Sequence, residues 1–179
     1  ALLLVVKWSS LIGRSPVEGA ELLAIGADGE VLQSRRLVPR LNRSIRRGQI
    51  AISGSKAFVS LSEELGLLDA DDQLRRMNAY HDLDVCIFRA GTDLFEVDAK
   101  QLWLRQQSEL QNTVVSDLAA VGGRVIGVGW TAGRCSRDKR RLAILEIARG
   151  LARLIYEAPD EFETQGTVLL GMRGEYLLF

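Results

Sequence analysis

The stretch that decides the fold is Arg137-Asp-Lys-Arg-Arg-Leu-Ala-Ile-Leu-Glu-Ile-Ala-Arg-Gly-Leu-Ala-Arg-Leu-Ile-Tyr-Glu157. Ser136 before it is suited to cap a helix, and Pro159 stands just past its end. The stretch therefore predicts a long amphipathic helix that packs against the core or, alternatively, against a partner. The apolar stripe of this helix consists of Ile144, Ile147, Ala148, Leu151, Leu154 and Ile155.

The remaining chain predicts a mixture of strands and helices around this helix. Asp28-Gly29 between two apolar runs is a strong hairpin signal. The fold is therefore predicted to be α/β, with residues 1–54 as a small N-terminal β-rich segment with a basic loop and residues 55–179 as the α/β core. Strands are predicted over 2–8, 20–27, 30–38, 82–88, 94–99, 124–130, 166–171 and 174–179. Helices are predicted over 55–68, 71–77, 100–111, 114–121 and 137–157.

Composition excludes several classes of protein. The 179 residues are 47% hydrophobic and 26% charged, which is typical of a globular domain and not of disorder. One histidine and two cysteines, Cys86 and Cys135 in separate segments, exclude a zinc site built from Cys and His ligands. The apolar start of the chain is far too short to span a membrane, so no membrane association is expected. Cysteine usage favours a reducing compartment, the cytoplasm.

The formal net charge is zero, but basic residues are clustered. Thirteen residues hold six arginines and no acid, a pattern that predicts contacts with the phosphates of DNA or RNA. A merely solvated basic face is the alternative. The six residues are Arg35, Arg36, Arg40, Arg43, Arg46 and Arg47.

The strongest candidate for a catalytic site is the pair of predicted strands 82–88 and 94–99, which leads to Asp98-Ala-Lys100. Side chains alternate between the two faces of a strand, so Asp98 and Lys100 are expected on one face. If the run that carries Asp84 folds back on it through the turn at Gly91, Asp84 and Asp98 meet at one end of a hairpin.

Such a group suits the hydrolysis of phosphodiester bonds. Carboxylates hold Mg²⁺ or Mn²⁺, which polarises the phosphate and activates a bound water. A lysine beside that water assists the attack. Asp84, Asp98 and Lys100 are therefore predicted to be catalytic. A glutamate of the preceding helix is expected to complete the site, and both Glu63 and Glu64 are candidates for this catalytic role. Glu63 is the one predicted to bind the metal together with Asp84 and Asp98.

Asp84, an apolar strand and Asp98-Ala-Lys100 together resemble the signature of PD-(D/E)xK nucleases. The resemblance implies a restriction-endonuclease-like core, a mixed sheet flanked by helices, and a metal-dependent endonuclease, with a homodimer as a possible assembly. Within that superfamily the stretch is similar to nuclease domains of CRISPR ancillary effectors, which implies antiviral defence. The family usually has Glu where this chain has Asp98.

Two other functions stay open. Residues 23–36 and 61–67 resemble parts of a Nudix domain, but Val59-Ser60 stand where that family has Arg-Glu, which implies a degenerate hydrolase or a binding module. The third alternative is a non-enzymatic protein-interaction domain.

Overall fold

A computed structural model of the chain describes residues 2–12, 15–38, 47–65, 89–133, 136–149, 151–159, 171–173 and 176–178. All regular secondary structure in these residues is β-strand. The strands are β1 (Leu2–Ile12), β2 (Ser15–Ile25), β3 (Val31–Leu37), β4 (Arg47–Ser53), β5 (Lys56–Leu65), β6 (Arg89–Asp98), β7 (Leu104–Gln111), β8 (Thr113–Val121), β9 (Arg124–Gly133), β10 (Ser136–Ala148), β11 (Leu151–Glu157), β12 (Gly171–Arg173) and β13 (Tyr176–Leu178).

The strands form three antiparallel sheets and one short hairpin. The first sheet has the order β1-β2-β3, the second β4-β5-β6-β7 and the third β8-β9-β10-β11, and β12 pairs with β13. In each sheet, strands that follow one another along the chain are hydrogen-bonded neighbours. Each sheet is therefore an up-and-down meander.

The prediction of an α/β fold with helices flanking a restriction-endonuclease-like sheet is wrong. The predicted helices include many residues that lie in strands, namely 56–65, 104–111, 114–121, 137–148 and 151–157. The short helix predicted over 71–77 lies outside the described residues. The physical reason differs between these segments.

The error in β5 arises because the second sheet lies between the other two. One face of β5 packs Ala57, Val59 and Leu61 against the first sheet. The other face places Phe58 in the cluster shared with the third sheet. A strand buried on both faces loses the apolar–polar alternation that identifies a strand, so its apolar residues also fit a helical pattern.

The error in residues 137–157 has a second cause. Burial in β10 has a period of two, because Ala143, Leu145 and Ile147 are buried and the residues between them are less so. Those intervening positions are themselves mostly apolar, so the apolar residues of this segment also fit the spacing of one face of a helix. The predicted helix is in fact a hairpin in which Ala148 pairs with Leu151 across Arg149-Gly150.

Several other predictions are confirmed. β1 covers the predicted strand 2–8, and β9 covers the predicted strand 124–130. β2 and β3 pair as an antiparallel hairpin around Asp28-Gly29, with Gly29 at a φ of 85°. β12 and β13 form a hairpin within residues 166–179, where a hairpin was predicted, but β12 overlaps the predicted strand 166–171 at Gly171 alone.

The first strands of successive sheets are neighbours: β1 contacts β4, β4 contacts β8, and β8 contacts β12. Four-stranded meanders stacked in this way resemble adjacent blades of a β-propeller. Within the described residues, no helix has the length and apolar character needed to cross a membrane.

Strand β8 crosses the face of the second sheet. Its first residues lie near β6, where the Thr92 hydroxyl donates to the Thr113 carbonyl at 2.8 Å. Further along it meets β5, where the Ser62 hydroxyl donates to the Val115 carbonyl at 2.9 Å. Val115 and Leu118 then share an apolar cluster with Ala51 of β4. This crossing fixes the third sheet on the second.

Candidate functional site

Asp98, the central residue of the predicted nuclease site, closes a turn. It ends β6, and its Oδ1 accepts hydrogen bonds from the backbone N–H groups of Lys100 and Gln101, each at 3.0 Å. Its Oδ2 accepts a hydrogen bond from Arg105 at 2.6 Å. Both carboxylate oxygens are therefore engaged within the turn that connects β6 to β7.

The same contacts govern the ionisation of Asp98. The hydrogen bond from Arg105 and the two from backbone N–H groups lower the pKa of Asp98 below the ordinary value of an aspartate. These contacts favour the charged form, since each donor stabilises the carboxylate. Asp98 is a carboxylate that holds a turn, and a metal ion there would compete with Arg105.

The helix glutamates of the prediction lie in β5, and only their backbone positions are described. Glu63 pairs with Gly91, whereas Asp98 pairs with Lys56 at the other end of the same ladder. Seven residues of strand separate Lys56 from Glu63, about 23 Å at a rise of about 3.3 Å per residue. The structure therefore does not bring Glu63 or its neighbour Glu64 together with Asp98.

Asp84 lies outside the described residues. In the predicted site, the strand that carries Asp84 pairs with β6, so one edge of β6 would have to be open. That edge is occupied, because residues 91–97 of β6 pair with β5 on one side and with β7 on the other. Lys100 follows the strand in an exposed turn. In the part of the chain that the structure describes, no group of three or more His, Cys, Asp or Glu residues could hold a metal ion.

The predicted nucleic-acid contacts are only partly described. Arg35 and Arg36 are exposed on β3, where Arg36 lies opposite Glu21. Arg47 begins β4, and only its backbone is described. The other three, Arg40, Arg43 and Arg46, lie outside the described residues. Phosphate binding by this group stays a prediction.

A cleft of about 390 Å³ lies among the turns that follow β4, β8 and β10, at the ends of the second and third sheets. Its charged lining consists of Lys56, Arg124, Arg149 and Glu146. Lys56 contacts the buried carboxylate of Glu96 at 2.6 Å, and Arg124 lies 3.6 Å from Glu146. Two of its three cations thus already face carboxylates, so the cleft offers little charge to a ligand.

The most unusual surface of the described residues is strand β11, the last strand of the third sheet. Within them it pairs with β10 alone, so one edge carries no neighbouring strand. Its side chains are nevertheless apolar: Leu151 is 60%, Leu154 46%, Ile155 47% and Tyr156 47% exposed. Leu151, Leu154 and Ile155 belong to the apolar stripe of the predicted helix, whereas Tyr156 does not.

Local sequence explains how β11 reaches this position. Arg149 adopts a φ of 54°, and only two residues of sequence separate Ala148 from its cross-strand partner Leu151. Two-residue hairpin loops require positive φ values, and glycine adopts them readily. Gly150 within the predicted helix was the signal that could have revealed the hairpin, because glycine disfavours a helix interior.

Register places the apolar side chains of β11 on both faces of the sheet. Leu154 is the cross-strand partner of buried Leu145, so it extends the packed face of the third sheet beyond its covered part. Arg153 pairs with Glu146 on the opposite face, at 3.1 Å. Ile155 has no partner on β10, since the register shifts there and leaves a β-bulge.

No protein-family model matches the chain, and no curated protein matches it either.

Proposed function

We propose that this chain is a non-enzymatic interaction domain whose stacked sheets present β11 to an extended segment of a partner polypeptide. The observation that carries the proposal is that one strand combines an edge with no neighbour among the described strands and four exposed large apolar side chains. Metal-dependent cleavage of nucleic acid stays a prediction from the sequence, without support from the contacts of Asp98.

The physical basis is the cost of leaving such a strand uncovered. An edge strand exposes a row of N–H and C=O groups that template the addition of another strand. Proteins usually blunt such edges with charged residues, proline or a covering loop. Between Leu151 and Tyr156 the only charged side chain is Arg153, which is already engaged by Glu146. Exposed apolar side chains grouped on one strand are typical of a binding surface.

Strand addition is the binding mode that fits this edge. Backbone hydrogen bonds from the added strand would provide affinity, and its alternate side chains would provide specificity. Leu154 continues the packed face of the third sheet, so an apolar residue of the partner beside it gains burial. We therefore expect a partner segment that is apolar and extended. We further propose a reducing, cytoplasmic setting, in keeping with the two separate cysteines.

Site-specific photocrosslinking tests this function. Tyr156 is replaced by a benzoylphenylalanine, and the full chain is irradiated in extract from its own source. The matched control carries the same group at Trp103, an aromatic residue that is 67% exposed at the start of β7. We expect protein adducts at position 156 that disappear when Leu154→Lys is added, and no such adducts at position 103.

Two results would contradict the proposed function. One is the absence of protein adducts at position 156. The other is a set of adducts that is the same at both positions and insensitive to Leu154→Lys, which would indicate nonspecific contact with an exposed aromatic ring.

A further inference from the structure

The cleft at the ends of the second and third sheets combines hydroxyl groups, charged groups and an apolar floor. Its volume of about 390 Å³ lies near the lower end of the range of about 300–1,000 Å³ that is typical of pockets for small molecules. Its hydroxyl groups come from Ser53 and Ser55, on the turn between β4 and β5. Its floor is apolar, because it is lined by the buried side chains of Phe58, Val125 and Ile147.

Ion pairs hold the polar side chains of the cleft in place. Lys56 contacts Glu96 at 2.6 Å, and the side chain of Glu96 is only 5% exposed. Glu146 faces Arg124 at 3.6 Å and also Arg153, which lies outside the lining, at 3.1 Å. A ligand therefore meets donors and an acceptor whose positions are already fixed, which lowers the entropic cost of binding.

The charge that remains in the cleft is positive and small. Arg149 is exposed, and within the described residues no carboxylate forms an ion pair with it. Glu146 is already shared by two other arginines. A single negative charge on a ligand therefore gains a favourable contact with Arg149, whereas a ligand ammonium group is repelled.

We propose that this cleft binds a small polyhydroxylated molecule with one carboxylate, such as a sugar acid. The proposal does not rest on docking at β11. Hydroxyl groups both donate and accept hydrogen bonds, so they suit a lining that mixes serine hydroxyls, cations and the Glu146 carboxylate. A carboxylate on the ligand fits the planar set of N–H donors on the Arg149 guanidinium.

The lining disfavours two other classes of small molecule. An amino acid would bring an ammonium group next to the cations of the cleft. A nucleotide would need an aromatic face on which to stack its base. Phe58 is the one aromatic side chain among the described residues of the lining, and it is only 5% exposed.

A titration of the full chain, followed by the chemical shifts of backbone amides, tests the proposal. The probe is methyl glucuronide. The matched control is methyl glucoside, which has the same ring but carries a hydroxymethyl group in place of the carboxylate. We expect saturable shifts in residues 53–56, 123–125 and 146–149. We also expect the glucoside to bind about fivefold more weakly, a difference typical of one partly exposed ion pair.

A charge-neutral variant assigns this preference to one side chain. Arg149→Gln leaves a non-glycine residue at the positive φ of position 149 and removes the charge. We expect it to bind the two glycosides equally, because the neutral glucoside makes no ion pair that the variant could lose. Arg35→Gln is the matched control, since it removes an equal charge from an exposed position on β3, outside the cleft, and should keep the preference. Thermal melts check that both variants fold.

Any of four outcomes overturns the proposal: no shifts at the cleft, equal affinity for the two glycosides, a preference that survives Arg149→Gln, or an equal loss of preference in Arg35→Gln. Inorganic phosphate forms a further arm. If it bound as tightly as the glucuronide, the cleft would select charge alone, and the role of the hydroxyl groups would be wrong.

Discussion

β8 and β11 are the first and last strands of one sheet, and each contains a β-bulge in a different environment. In β8 the register shifts around Ser116, and in β11 it shifts around Ile155. The β8 bulge is buried beneath the second sheet, where the Ser62 and Thr92 hydroxyls bond to the backbone of Val115. The β11 bulge lies on an exposed edge. In β8 the bulge lies where two sheets pack together. In β11 the bulge lies on the edge that is proposed to bind a partner.

The hydroxyl pair beneath β8 provides hydrogen bonds to the backbone beside the buried bulge. Ser62 Oγ lies 2.7 Å from Thr92 Oγ1. Each oxygen accepts from the Val115 N–H, at 3.1 Å, and each hydroxyl also reaches a carbonyl of β8. Side-chain hydroxyls thus replace the ladder bonds that the bulge removes, which avoids the cost of unpaired buried backbone groups.

The largest loss of folding stability is expected from a substitution at Gly129, which lies on β9 opposite the β8 bulge. A Cβ there would overlap the backbone carbonyl of Val114. Gly129→Ala should therefore cost about 3 kcal/mol or more, because backbone must move. Gly127→Ala is the matched control, since its Cβ would meet the flexible end of Leu118 at 3.3 Å. Urea unfolding of both variants checks this, and similar losses would contradict the close approach at Gly129.

A smaller loss of folding stability is expected when the hydroxyls of Ser62 and Thr92 are removed. Ser62→Ala and Thr92→Val should each lower the free energy of unfolding by about 1–3 kcal/mol, because each leaves a carbonyl of β8 without its hydroxyl donor, buried at Val115 and partly buried at Thr113. The double variant should lose less than the sum, since both oxygens share the Val115 N–H. Ser60→Ala is the control on the same face of β5, because its buried hydroxyl has no hydrogen-bond partner. A loss at Ser60 equal to that at Ser62 would refute the network.

The turn at Asp98 should give a pH-dependent effect. Its folded pKa is lowered, so the stabilisation from its charged form is present above the unfolded value and is lost as pH falls through the folded value. Asp98→Asn keeps an oxygen for the backbone N–H groups but removes the charge beside Arg105. The stability gap between wild type and this variant should be constant near neutral pH and shrink below about pH 4. A gap that does not change with pH would contradict this role.

The smallest effect on stability is expected on β11. Leu154→Lys should change the free energy of unfolding by no more than about 0.5 kcal/mol, because the lysine can extend into solvent. Leu145→Lys, at the buried cross-strand partner, should prevent folding, since it places an unpaired charge in the core. Equal losses in thermal melts of the two variants would show that β11 is no exposed edge.

The sequence predicted the elements whose signals are local. Asp28-Gly29 identified the β2–β3 hairpin, and the predicted strand 124–130 begins directly after Gly122-Gly123, which have positive φ values and join β8 to β9. It misidentified strands whose periodicity tertiary burial hides. β5 is buried on two faces, and β10 and β11 carry apolar residues at consecutive positions, so period alone could not separate helix from strand.

The candidate site failed to emerge from sequence for a related reason. The predicted nuclease group depended on which strand lies beside β6, and that is a matter of long-range pairing. Asp98 and Arg105 are seven residues apart and meet because a turn joins β6 to β7, a contact that the acid-x-Lys pattern did not include. The docking edge was hidden because recognising β11 as a strand requires the hairpin at Arg149-Gly150.

The distance between the side chains of Leu145 and Leu154 tests the central claim most directly, since β11 is an exposed edge only if it folds back on β10. Methyl-labelled NMR spectra of the full chain should show a strong nuclear Overhauser effect between these two leucines, because cross-strand partners have Cα atoms about 4.5–5.5 Å apart. A continuous helix would separate them by nine residues, about 13.5 Å at about 1.5 Å per residue. The absence of this signal, together with sequential helical contacts through Gly150, would contradict the account.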